Sequence, residues 1–179
     1  MTDIELKAIM SARDLRTKLV DEGIINSDTK KLDYNVLSYM INMYEGHLSF
    51  NNNHVSYFQK KKDGTFDINI SDDIAQEDKI ITLLQGIAIR LFAFDNLSCY
   101  RIIRFRYYNF INDFKYRNKE DLLAIYLFAR EFLMPRELFD DSIEDNIGDD
   151  NLCDYRKVAI DFNTSYQKVL ARKEDFERE

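Results

Sequence analysis

Only two histidines occur in this chain, His47 and His54, both inside "HLSFNNNHV". A histidine pair with carboxylates nearby is the raw material of a metal site or of general acid–base catalysis. Their spacing fits no usual ligand set, and exposed strand-end residues are the simpler account. A serine or cysteine nucleophile needs a histidine base, and neither histidine lies near Cys99 or Cys153 in sequence. The glycines are isolated, so no phosphate-cradling loop is spelled out. Carboxylate pairs are abundant because acids are abundant. Residue types and spacing alone single out no catalytic set.

A second constellation is basic and aromatic. In "CYRIIRFRYYNFINDFKYRNK", Arg101 and Arg104 fall on one face of a helix that Tyr108 continues, with Tyr107 beside it. Such residues form protein-binding hot spots or stack on bases. The competing account puts the aromatics in the core and the arginines in water or against acidic neighbours. A third candidate is the terminal "KVAIDFNTSYQKVLARK", which has helix–turn–helix spacing about residues 163–165. In a DNA reader, Gln167, Lys168 and Arg172 would face the bases. The acidic flank "EDFERE" opposes phosphate binding, and direct nucleic-acid binding is not expected.

The most core-like helix raises a question of its own. "ITLLQGIAIRLF" keeps an apolar stripe but places Gln85 and Gly86 within it. A mid-helix glycine costs about 1 kcal/mol relative to alanine, and a buried glutamine needs hydrogen-bond partners.

Composition bounds the answer. The chain has 179 residues, 45% apolar and 32% charged, enough for one compact domain with a real core. One proline and five glycines point to a mainly helical chain. A net charge of −7 gives no global basic field for nucleic acid or anionic lipid. No run approaches the apolar length of a membrane span, and "MTDIELKAIMSARDLR" has no apolar signal core. Two widely separated cysteines read as reduced thiols. The expectation is a soluble cytoplasmic domain without cofactor or metal.

The elements that must position these residues follow from periodicity. A loose helical stripe covers residues 3–22, and a second helix runs through "YNVLSYMINMYEG" to Gly46, with Ser27 and Asp28 as cap candidates. The alternation in "HLSFNNNHVSYFQKKKDGTFDINI" predicts three short antiparallel strands, turning at residues 51–53 and at Asp63–Gly64. Ser71, Asp72 and Asp73 are caps for a central buried helix over residues 73–94. Residues 100–119 read as the aromatic, basic helix, and "EDLLAIYLFAREFLMP" as an apolar helix stopped by Pro135. Residues 140–151 carry clustered acids and read as an exposed loop, followed by two short helices.

This order resembles the ImmA/IrrE family of zinc metallopeptidases over residues 15–173. "FAREFLMP" is similar to the family's FAAELLMP-like box, "DGTFDINISDD" leads into "TLLQGIAIRLF", and "VAIDFNTSYQKVLAR" looks like the family's closing element. The resemblance implies a zincin-like α+β fold, mainly helical with a small three-stranded antiparallel sheet. It divides the chain into a degenerate metallopeptidase-like domain (residues 1–139), an acidic loop (140–151) and a terminal helical element packed on the same domain (152–179). The family's central helix carries H-E-x-x-H, two ligands one turn apart and a base between them. In register, Gln85 and Ile89 stand at the histidine positions and Gly86 at the glutamate position. The third ligand falls near residues 122–124, which are apolar, with Glu120 and Asp121 close by.

The resemblance therefore implies an inactive relative that works by binding a protein. Active relatives cleave helix–turn–helix regulators encoded beside them on phages and mobile elements. A degenerate copy is expected to hold such a regulator, or a host or phage protein, and to regulate or inhibit it by occupancy. Arg101, Arg104, Tyr107 and Tyr108 form its candidate contact surface. Two alternatives remain: an enzyme with a relocated metal site using His47, His54, Glu120 and Asp121, and a DNA-binding regulator using the terminal helices.

Overall fold

The computed structural model describes residues 2–52, 55–92, 102–105 and 119–177, with backbone alone at 102–105 and 119–121. Helix α1 spans Asp3–Asp21 and starts from a capping box, in which the Thr2 hydroxyl accepts from the Glu5 amide and the Glu5 carboxylate accepts from the Thr2 amide. Its buried face is Ala8, Ile9, Ala12, Leu15, Arg16 and Leu19. The arginine in that apolar stripe is the first sign of a buried polar cluster.

Helix α2, Tyr34–Met43, is capped by Asp33, whose Oδ1 accepts from the amides of Asn35 and Val36 at 2.8 and 3.0 Å. Asp33 therefore takes the role expected of Ser27 or Asp28, because it alone adjoins the first turn. The helix ends at Met43 and Gly46 already opens a strand. The reversal is made at Glu45, whose φ is 62°.

Strands β1 (Gly46–Asn51), β2 (Ser56–Lys60), β3 (Phe66–Ser71) and β4 (Ile102–Phe105) form one sheet in the order β1–β3–β2–β4. Two expectations change here. The sheet is mixed rather than antiparallel: β1 runs parallel to β3 with Gly46 opposite Phe66 and Phe50 opposite Ile70. The turn expected at residues 51–53 is thus no hairpin, because the chain leaving β1 passes over one strand position before β2. Alternation reveals which residues share a face and carries no information about the neighbour. The Asp63–Gly64 hairpin between β2 and β3 is present, with the Lys61 amide bonded to the Thr65 carbonyl at 2.9 Å.

The second change concerns "IIRF". Residues 102–105 are strand β4, antiparallel to β2 with Arg104 opposite Tyr57, and not part of a helix. β-branched residues beside an aromatic favour the pleated form.

Central strand β3 buries Phe66, Ile68 and Ile70 fully, and Asn69 and Ser71 are buried as well. Helix α3, Gln76–Phe92, lies on this strand with residues 80–89 all buried. Helix α4, Lys119–Leu133, packs against both α1 and α3 and carries Phe128 and Phe132, both fully buried. After Pro135 come α5 (Arg136–Asp145), α6 (Tyr155–Asp161) and α7 (Tyr166–Phe176). The supposed acidic loop therefore begins inside a helix. Ser142 on the buried side of α5 donates to Asp161 at 2.6 Å, while the acids at 140, 141, 144 and 145 face water. Clustered acids marked the solvent face of a helix, and the loop proper is confined to residues 146–154.

The result is an α+β fold of seven helices and a small mixed sheet among the described residues. No helix in it is long and apolar enough to cross a membrane.

Candidate functional site

The three positions aligned with a metallopeptidase motif lie in the interior of α3. Gln85 is 7% exposed, and Gly86 and Ile89 are buried. A Cβ built on Gly86 would sit 2.5 Å from Ile68 Cδ1 and 3.1 Å from its Cγ1. The glycine is there because helix and strand touch, with Ile68 occupying the space an alanine methyl would need. Ile89 belongs to one continuous core with Leu122 and Ala124 of α4, which bound the stretch expected to carry the third ligand. Zinc does not fit this set. Isoleucine and glycine offer no donor atom, and a lone neutral amide is a weak ligand for a cation that prefers imidazole and carboxylate.

The relocated-site residues are dispersed or unplaced. His47 is exposed on β1, opposite Asp67, which instead pairs with Lys61 at 2.8 Å. His54 and the side chains of Glu120 and Asp121 lie outside the described residues, as do Arg101, Tyr107 and Tyr108 and the side chain of Arg104. Among the described residues, no group of three or more His, Cys, Asp and Glu side chains converges on one point.

What the fold does bring together is a buried arginine–carboxylate clasp. Glu131, from "FAREFLMP", is 1% exposed, and Arg172, from "VLARK", is fully buried. The Arg172 guanidinium pairs with Glu131 Oε2, donates through Nε to the Met134 carbonyl at 2.9 Å, and lies 3.9 Å from the centroid of the Phe176 ring. Arg13 of α1 takes the other carboxylate oxygen, Oε1, at 2.7 Å. Arg130 binds Asp175 of α7 at 2.8 Å through its Nη2. Arg16 reaches across from α1, donating to the carbonyls of Phe132 and Thr29. One carboxylate thus ties α1, α4 and α7 together, and burial makes each of these bonds costly to lose. The signal in the sequence was an arginine inside an apolar stripe of α1 and a glutamate inside "LFAREFL". Periodicity alone reads both as misplaced surface residues.

The clasp also decides the terminal helices. Arg172 is a core residue, so its guanidinium is unavailable to a base edge. Lys168 is pulled down in pKa mainly by burial, against the pull of Asp78. Of the expected base-reading trio only Gln167 is exposed.

A cavity of about 610 Å³ lies beside the clasp, between α1, the loop after it and the start of α5. Arg13, Arg16 and Arg136 line it, together with the acids Glu131 and Glu137. Burial draws Arg16 down from the ordinary arginine value to about 10, although Glu131 raises it. It remains cationic at neutral pH, in a place where that charge is poorly solvated. The chain matches no family model, no curated protein and no solved structure.

Proposed function

We propose that this chain is a catalytically inactive relative of the ImmA/IrrE peptidases that acts by holding a protein partner. The reading rests on the resemblance of three segments, and one observation carries it furthest. Two of those segments, "FAREFLMP" and "VLARK", are joined by the Glu131–Arg172 pair, while the third presents Gln85, Gly86 and Ile89 where ligands and base would stand. The pair shows that two of the three resembling segments belong to one buried cluster, as parts of a single domain would. Replacement of ligand positions by an apolar side chain and a packed glycine favours occupancy over cleavage.

On this reading the partner is a helix–turn–helix regulator or another host or phage protein, and affinity comes from residues such as Arg101, Arg104, Tyr107 and Tyr108. The chain acts in the cytoplasm, needs no cofactor, and regulates or inhibits by sequestration. The test is co-purification of the native, untagged protein from its source cells, with the partner's length and the zinc content read on the same sample. A full-length partner at defined stoichiometry with substoichiometric zinc is the expected result. A shortened partner, one equivalent of zinc, or no partner at all would each sink the proposal.

A further inference from the structure

The cavity beside the clasp has an excess of cationic side chains beyond what holding the helices together needs: Arg13, Arg16 and Arg136 against Glu131 and Glu137. Its floor is Arg16, 7% exposed. The described partners of this guanidinium are the main-chain carbonyls of Phe132 and Thr29. Glu131, the acid that acts on it electrostatically, has both oxygens committed, one to Arg13 and one to Arg172. A buried cation held by neutral carbonyls is electrostatically under-compensated.

The rest of the cavity adds to that positive charge. Arg13, half-exposed, and Arg136, which pairs with Asp140 at 3.3 Å and lies 4.5 Å over the Phe176 ring, bring two more guanidiniums to its walls. Thr17 and Ser27 supply hydroxyls. Arg136, Glu137 and Leu138, the first turn of α5, complete the rim, and Pro135 before them makes no side-chain capping bond. The amides of that turn add positive potential on the same side as the arginines. Against these stands Glu137, an exposed acid at the mouth whose charge water screens. Val20 and Leu138 give the cavity an apolar wall.

We propose that this cavity is a binding site for a small oxyanion-bearing molecule, a carboxylate or a phosphate, with Arg16 at its base and Arg13 and Arg136 closing on the anion. Guanidinium forks match both groups in geometry, and an entering anion supplies the charge that Arg16 lacks. The volume suits a small organic anion rather than a folded segment. The proposal is independent of the partner-holding reading, since the cavity lies at α1 and α5, away from the α3 positions.

The test is calorimetric titration of the full chain at low ionic strength with inorganic phosphate and, separately, with acetate. Arg136→Gln and Arg13→Gln are run alongside, with circular dichroism to verify that each variant is folded. Saturable binding of either anion, weakened at least about fivefold in both variants, is expected for loss of a charge-assisted contact. Saturation by both anions means the site reads the shared oxyanion; saturation by one alone assigns the ligand to that chemistry. No saturation by either anion, or affinity that is unchanged in Arg136→Gln, overturns the site. Arg136 lies on the solvent side of α5, so that variant tests the cavity without dismantling the clasp.

Discussion

Replacing Arg172 by alanine leaves Glu131 buried with the half-exposed Arg13 as its ion-pair partner and Arg16 acting only at longer range, and removes the Arg172 donor from the Met134 carbonyl. Removing one partner of a buried pair costs about 3–5 kcal/mol, so Arg172→Ala is expected to shift the chemical-denaturation midpoint by that much. The double replacement Arg172→Met with Glu131→Met should recover part of the loss, because the pair is then removed whole, although Arg16 loses the acid that acts on it and Asp175 one of its cations. A surface, base-reading Arg172 would give near-zero change in the single variant. Gly86 offers a second test of contact. Gly86→Ala gains about 1 kcal/mol of helix propensity but must push Ile68 aside. Ile68→Val removes the Cδ1 atom in the way, at a cost of about 0.5–1.5 kcal/mol. Gly86→Ala is therefore expected to be more favourable in the Ile68→Val background than in wild type, and a thermodynamic cycle reads the coupling. Independence of the two sites would mean that they do not touch.

Elements were legible to different depths, for identifiable reasons. Helices α1 and α3 could be placed from apolar spacing and α4 from its apolar run and Pro135, since burying a face imposes a period on the sequence. Cap choice was harder, because Ser27, Asp28 and Asp33 have equal chemistry and only the turn's path selects one. Asp33→Ala is expected to cost about 1 kcal/mol, seen as a shifted midpoint at unchanged denaturant slope; Asp28→Ala should change nothing. The sheet's parallel pair was invisible, because Leu48 and Phe50 alternate identically whichever strand lies beside them. The acids of α5 misled for the same kind of reason: charge reports exposure, and exposure belongs to helix faces as well as loops. The candidate site was half legible. Gln85 and Gly86 stood out as anomalies, whereas the clasp joins residues too distant in sequence for any local pattern to pair.

At the scale of the molecule, pH sensitivity follows from Asp78, buried where α3 meets α7. Burial, the largest influence, raises its carboxyl above the ordinary value, with Glu77 adding to the rise and Lys168 and a bond from Ser165 opposing it. The folded chain thus keeps this proton to a higher pH than the unfolded one. The associated stability is full below the unfolded aspartate value of about 3.9 and is lost as pH rises through the higher folded value. Asp78→Asn removes that titration. Its stability relative to wild type should rise as pH is raised above about 4 and level off once Asp78 is ionised in the folded wild type, measured as a midpoint difference in denaturant; a flat difference would mean that Asp78 does not titrate abnormally.

The strand order carries a kinetic consequence. The β2–β3 hairpin closes locally, through Gly64 at φ 87° and the Asp63 carboxylate, which accepts from the Thr65 amide and hydroxyl at 3.0 and 2.7 Å. β1, although earlier in the chain, has nothing to pair with until β3 is in place, and then only from the far side. Synthesis order and assembly order are therefore opposed: the first strand made is expected to be the last of the three to dock. In a chevron experiment, Gly64→Ala, which strains the turn by about 1 kcal/mol, should slow refolding. Leu48→Ala on β1 should leave refolding nearly untouched and accelerate unfolding instead. An edge strand that arrives late also leaves β3 uncovered while the chain searches, a window in which a second copy's β1 competes for the same register.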